Sequence, residues 1–329
     1  MATETVLQID DLRLSFPVYG GRVQALNSVS VAVNRGEIVG VVGESGSGKS
    51  VTAMLAMRLL PEGSYQVDQG RVQLLGEDML RAGEKTLRQW RGTRVAMIFQ
   101  EPMTALNPTR RIGRQITEVI RYHQRLSRRA AWVKAVTLLE EMQIPDADSV
   151  MRRYPFELSG GMRQRVMIAL AFSCEPQLII ADEPTTALDV TVQRQVLSLL
   201  YQKARASGTA VLFISHDMAV VAQLCDRLYV MYAGAVIESG NSPDVITRPA
   251  HPYTRGLLRC APEHGQPKIP LPAIPGTVPD LAHPPGGCAF RERCSQAGER
   301  CQTRPPLADC GAPHQQSACW YPLQESPHG

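Results

Sequence analysis

A chain of 329 residues, 44% of them hydrophobic, is long enough to bury one large core or two modest ones. Its 35 basic and 31 acidic residues leave a formal charge of only +4, spread along the chain, which excludes the dense basic stripe of a nucleic-acid binder. No apolar run approaches the roughly eighteen residues needed to cross a bilayer, and the start, MATETVLQIDD, lacks the basic and apolar regions of a secretory signal, so a soluble cytosolic protein is expected.

In chain order, the short β-branched runs TVLQI, VSVAV and EIVGVV come first, followed by a helical pattern from about Lys49 and then by VAMIF, LIIAD and AVLFIS. That alternation predicts an α/β fold with a substantially parallel sheet. From Glu101 to about Ser159 the pattern is helix without strand. AAWVKAVTLLEEM puts Ala131, Ala135, Leu138, Leu139 and Met142 on one face, which predicts core packing. After HPYT, residues 251–254, the composition changes: thirteen of the 24 prolines fall from Ala261 onward, where the aromatics are only Phe290, Trp320 and Tyr321. Such a segment is expected to be poor in helix and strand and to need a staple to hold one shape.

The chemistry is concentrated in a few stretches. GESGSGKS, residues 43–50, follows the apolar strand IVGVV and precedes a helix, the context a phosphate loop requires. Gly43, Gly46 and Gly48 let the backbone curl so that its amides face phosphates, Lys49 neutralises the outer phosphates, and Ser50 offers a hydroxyl to Mg2+. Chance would produce the pattern in roughly one chain in a hundred. LIIADE ends an apolar strand in two carboxylates: Asp182 would hold Mg2+ through water, and Glu183 is placed to polarise the attacking water. Gln100 ends VAMIF, where its amide could reach the metal or the water, and His216 follows AVLFIS, where it could bond the γ-phosphate. Alone, each of these reads better as a solvated turn or an ordinary surface or core side chain, and only the phosphate loop beside them lends them a role. LSGGMRQR, with Ser159, Gly160 and Gly161 opening a helix, is a second anion-binding start in a chain that already has one phosphate cradle. It suits a nucleotide held by another subunit, or else is an ordinary helix cap.

Taken together these residues resemble the ATP-binding subunits of ABC transporters. GESGSGKS, Gln100, LSGGM, LIIADE, ALD (Ala187 to Asp189) and His216 occur in the order of that family's Walker A, Q-loop, signature, Walker B, D-loop and switch histidine. The resemblance implies a P-loop ATPase with an inserted helical subdomain at about 101–172, an ATP-binding domain over 1–250 and a small irregular cysteine-rich extension over 251–329. It implies that two such subunits sandwich two ATP molecules, so that Asp189 and the Ser159 to Gly161 turn meet nucleotide across the dimer. Glu44, Ser45, Ser47 and Val51 would complete the loop's contacts, and Phe16 sits where the family stacks an aromatic on adenine, with Tyr19 a competitor. Met162 stands where the commoner signature has glutamine.

EPMTALNP, HPYTRGLL and the cysteine-bearing tail resemble more narrowly the dipeptide and oligopeptide importers, and GEDML, RQWRG and the stretch from YPFELSGG to TTALDV resemble the D,D-dipeptide transporters among them. That branch implies a second, related ATPase as heterodimer partner, two membrane permeases, an external binding protein, and a place on the cytoplasmic face of the inner membrane. Helices near 101–158 would receive a permease's coupling helix, with Gln100 linking that contact to the nucleotide. A soluble ABC-type machine acting on nucleic acid or ribosomes is the alternative; tandem cassettes, a long coiled-coil insertion and a basic arm are missing from the sequence. A third reading is a metal-cluster regulator in which ATP binding merely controls association, and substituting Glu183 by glutamine separates it from an engine.

Cysteines 288, 294, 301, 310 and 319 crowd the tail. Their spacing fits a zinc ribbon or finger poorly, whereas irregular loops wrap a [4Fe-4S] cluster at varied spacings. In the importer branch Cys288, Cys294, Cys301 and Cys319 correspond to cluster ligands, and Cys310 is spare. The cluster is therefore expected, with Zn2+ and unligated thiols as the alternatives, and a metal would supply the missing staple. Cys174, Cys225 and Cys260 are expected to be small buried hydrophobes.

Overall fold

The computed structural model of the chain describes residues 4–101, 105–185, 188–260, 273–311 and 313–323. Its strands are β1 (Thr5–Val18), β2 (Gly21–Asn34), β3 (Ile38–Val42), β4 (Gln66–Leu74), β5 (Glu77–Asp78), β6 (Val95–Ile98), β7 (Leu178–Asp182), β8 (Ala210–Ser215), β9 (Arg227–Tyr232), β10 (Ala235–Asn241), β11 (Ala308–Asp309) and β12 (Gln316–Ser317). The helices are α1 (Lys49–Ala56), α2 (Glu84–Trp90), α3 (Ile112–Gln124), α4 (Arg128–Glu141), α5 (Ala147–Val150), α6 (Gly160–Phe172), α7 (Val190–Ser207), α8 (Met218–Leu224), α9 (Ser242–Thr247) and α10 (Pro252–Arg259). The chain divides into two compact units, residues 1–6, 34–37 and 81–212 in the first, and 7–33, 38–80 and 213–329 in the second.

In the first unit β6 and β7 pair in parallel, Val95 opposite Leu178 and Ile98 opposite Ala181. Every residue of β7 is buried, as a strand covered on both faces requires. The helical region carries α3 and α4, whose inner faces bury Ile112, Ile116 and Ile120 and, on α4, Ala131, Ala135, Leu138 and Leu139. Met142, the cap of α4, is buried with them. The face expected from the sequence is thus core, each full-sized aliphatic side chain contributing about 1.5–3 kcal/mol. Gly113 lets α3 approach closely, since a Cβ there would lie 2.7 Å from the Met151 carbonyl.

The second unit holds an antiparallel sheet in the order β2-β1-β4-β5 and part of a larger sheet in the order β11-β12-β10-β9-β3. There β3 and β9 pair in parallel, Val39 opposite Arg227, while β10 runs antiparallel to both β9 and β12. The expectation of a mainly parallel sheet therefore describes the strands that lead into the functional loops and misses the antiparallel ones. Among the described residues no helix is long and apolar enough to cross a membrane.

Candidate nucleotide site

In the second unit the fully buried β3 delivers the chain to Gly43. A Cβ on Gly43 would fall 2.2 Å from the Met231 carbonyl oxygen, and one on Gly48, whose φ is 99°, would fall 2.7 Å from Leu26 Cδ2. Both positions are closed to other residues by packing alone, and the curl they permit turns the loop into the first turn of α1. Lys49, 5% exposed, donates from Nζ to the carbonyls of Gly43 at 2.8 Å and Glu44 at 2.9 Å. Ser50 and Val51 follow it on α1, both half-buried; Ser45 and Gly46 are exposed. Ser47 Oγ is buried with no hydrogen-bond partner among the described residues, an orphaned polar atom in a loop whose sequence reads as a phosphate cradle. Phe16 is half-buried two residues inside the end of β1, whereas Tyr19, in the following turn, stands fully in solvent. His216 leaves β8 exposed, and the next residue, Asp217, caps α8 through Oδ1 to the amides of Ala219 and Val220.

In the first unit β7 ends on the buried Asp182. Glu183 then takes a left-handed backbone, φ 44°, a conformation that costs a non-glycine residue about 1–3 kcal/mol and is concentrated at functional sites. Gln100 Nε2 donates to Glu183 Oε2 at 3.2 Å, so two residues 83 apart in sequence are brought together at the strand ends. Ser159 caps α6, its Oγ accepting from the Met162 amide at 3.3 Å. Gly161 cannot bear a side chain, since a Cβ would lie 2.6 Å from Val192 Cγ1. Asp189 caps α7 by accepting from the Val192 amide at 3.0 Å. The SerGlyGly turn and the start of α7 are therefore one packed structure, and the cap reading of Ser159 holds beside any ligand role. Ala187 of the ALD triplet and Pro102 to Thr104 of EPMTALNP lie outside the described residues.

The tail corrects the metal expectation. No cysteine forms a disulfide, and among the described residues no three His, Cys, Asp or Glu side chains stand where they could hold a metal ion. Neither the [4Fe-4S] cluster nor Zn2+ at Cys288, Cys294, Cys301 and Cys319 stands. Burial pushes the thiols of Cys288 and Cys294 up, and that of Cys319 up to about 11. Cys310 likewise rises to about 11 through burial, and its Sγ donates to the Gln315 carbonyl. Of the other three, Cys174 and Cys225 are buried as expected, while Cys260 is only half-buried.

The tail is instead held by a core borrowed from earlier in the chain. Phe290, 4% exposed, packs edge-on against Tyr232 and Tyr253 and tilted against His251, at ring distances of 5.3, 5.4 and 5.8 Å. β12 extends β10, and the fully buried Glu238 of β10 accepts from the amides of Ala250 and His251 and from Gln315 Nε2. Trp320 Nε1 donates to the Thr303 carbonyl while Arg300 lies over its ring at 4.4 Å. These contacts supply the ordering that composition assigned to a metal.

His251 Nδ1 accepts the Tyr253 amide at 3.0 Å, which places its proton on Nε2. Burial depresses its pKa to about 3, against 6.5 outside the fold, so the native imidazole is neutral at pH 7. The unfolded chain takes up this proton first, and stability falls as pH drops from about 6.5 towards 3, by up to about 5 kcal/mol. Glu238, whose carboxyl burial pushes up, acts in the opposite sense by protonating earlier in the fold. Urea midpoints of wild type and His251→Gln at pH 7 and pH 4.5 isolate the histidine: the wild type should lose more than the variant, and equal losses would contradict a buried neutral His251.

The phosphate-loop curl, the buried aspartate at a parallel strand end with its strained glutamate, and the SerGlyGly turn define an ABC-type P-loop ATPase. The chain belongs to the ATP-binding subunits of ABC transporters and is an ATP-hydrolysing enzyme: the ABC transporter family model matches residues 26–186. The model of the oligopeptide/dipeptide transporter C-terminal region matches residues 237–301. The chain is 74% identical over 323 residues to the probable D,D-dipeptide transport ATP-binding protein DdpD of Escherichia coli, with 98% of each chain covered. It is 44% identical to the dipeptide transport ATP-binding protein DppD of Bacillus subtilis, with 99% of this chain and 97% of that one covered. The dimeric structure of the bacterial ABC transporter cassette MJ0796 matches with a TM-score of 0.64 at 24% identity, over 72% of this chain and 98% of that one, a likeness of fold.

Proposed function

We propose that this subunit hydrolyses ATP to drive uptake of dipeptides or oligopeptides, D,D-dipeptides being the finer reading, as one half of a heterodimer with a related ATPase. The observation that carries the reading is identity of 74% along almost the whole of both chains with a D,D-dipeptide transport ATP-binding protein. Two permeases and an external binding protein complete the assembly, with this subunit peripheral on the cytoplasmic face of the inner membrane. No nucleic acid takes part. In this reading residues 251–329 form an extension of the ATP-binding domain, and the helical region receives the permease.

Lys49 moves from the loop carbonyls to the outer phosphates, and the amides from Gly43 to Val51 hold the rest of the triphosphate. Ser50, Asp182 and Gln100 offer hydroxyl, carboxylate and amide oxygen, the hard donors that Mg2+ accepts while keeping several waters. Bound there, the ion would neutralise phosphate charge. Glu183 orients and polarises the attacking water, held by Gln100, and His216 bonds the γ-phosphate. Ser159, Gly160, Gly161 and Asp189 serve the nucleotide of the partner subunit, and Phe16 stacks on adenine. Affinity purification of the tagged subunit from membranes tests the assembly. The expected result is recovery of a second ATPase and two permeases, with dipeptide uptake lost on deletion; recovery of ribosomes or DNA would overturn it.

A further inference from the structure

Arg293 lies 249 residues beyond Glu44, yet its guanidinium closes on the Glu44 carboxylate through two parallel bonds, Nη1 to Oε2 at 2.7 Å and Nη2 to Oε1 at 3.0 Å. Its other donors are also used: Nε reaches the Pro275 carbonyl at 2.8 Å, Nη1 the Tyr232 hydroxyl at 3.3 Å, and Nη2 the Ile274 carbonyl at 3.4 Å. All five N–H groups are thus engaged on a side chain only 5% exposed, with the Tyr232 and Phe290 rings 5.7 and 5.9 Å away. The fully buried Tyr253 adds a second hold, its hydroxyl oxygen accepting the Glu44 amide at 2.9 Å. Glu44 is therefore gripped at its amide by Tyr253, at its carboxylate by Arg293 and at its carbonyl by Lys49.

Glu44 is the second residue of the phosphate loop, and a carboxylate there repels an incoming triphosphate unless its charge is cancelled. We propose that Arg293 is a positioning residue for ATP binding: it cancels the Glu44 charge and, with Tyr253, fixes the loop's first turn, so that the C-terminal region sets nucleotide affinity while leaving the chemical step alone. The proposal rests on the ATPase reading above and deepens it. The tail is thereby part of the nucleotide site's regulation, since anything that displaces Arg293 returns an anion to the loop.

The test is equilibrium binding of Mg-ATP to the full chain, with KM and kcat in the assembled complex. Arg293→Met is expected to weaken ATP binding about tenfold and raise KM equally, with kcat within about twofold. Adding Glu44→Gln is expected to bring affinity back to within about threefold of wild type, a recovery that a purely structural role would not give. Wild-type affinity in Arg293→Met, or a double variant no better than the single, overturns the proposal. Should Arg293→Met fail to fold, Tyr253→Phe, which keeps the ring, is expected to weaken ATP binding about threefold, and wild-type affinity there overturns it equally. A wild-type complex that binds ATP without hydrolysing it sinks the ATPase reading and not the clamp; a wild-type complex that turns over beside an unaffected Arg293→Met sinks the clamp alone.

Discussion

Glu183→Gln is expected to cut ATP turnover by about 10²- to 10⁴-fold while the complex still binds ATP, because the amide keeps the shape of the side chain and loses the charge that, in the proposed role, polarises water. The position is prepared for this role: the backbone is held left-handed at φ 44°, and Gln100 Nε2 fixes one carboxylate oxygen at 3.2 Å. An amide at 183 can still face Gln100, so the fold should persist. With no hydrolysis to reopen it, the proposed dimer with a second ATPase should retain ATP. Quench-flow measurement of phosphate release, with chromatography for retained nucleotide, reads both effects. Turnover within tenfold of wild type would remove Glu183 from the chemistry.

Lys49→Ala is expected to weaken ATP binding roughly a hundredfold, about 3 kcal/mol, the scale of hydrogen bonds to charged groups. In the structure the ammonium is buried and held between two loop carbonyls, so it is placed by the loop before any phosphate arrives. Its removal takes away a positive charge with nothing nearby in sequence to replace it except Arg58, which pairs with Glu62. Arginine would not restore it, since a planar fork does not fit a site built for a compact ammonium. Titration with Mg-ATP measures the loss, and thermal melting checks that the fold survives. Binding within about threefold of wild type would contradict the assignment of the loop.

What could be read from the residues follows a physical division. β3, β7 and β8 announce themselves as short apolar runs because they are fully buried, and the loops at their ends carry the motifs. β4 does not, because QVDQGRVQL is mostly exposed and offers no run to see. β10 hides for the opposite reason: Glu238 interrupts its apolar pattern, yet it is buried, its charge met by two backbone amides and a glutamine. The tail shows the same limit. A single phenylalanine in GCAFRERC is too little, read locally, to order a proline-rich segment, and the cysteines invite a metal. Phe290 finds its partners at Tyr232, His251 and Tyr253, contacts of long sequence separation that no local window reveals. Arg293 is illegible on the same ground, its partners Glu44 and Tyr232 lying far from it in sequence.

ATP turnover by the purified assembly, this subunit with the proposed second ATPase and permeases, is the most direct measurement. With Lys49, Glu183 and Ser159 intact, hydrolysis should be present and should rise when peptide-loaded binding protein is added. An intact assembly that binds Mg-ATP and leaves it unhydrolysed, with or without that protein, would contradict the account.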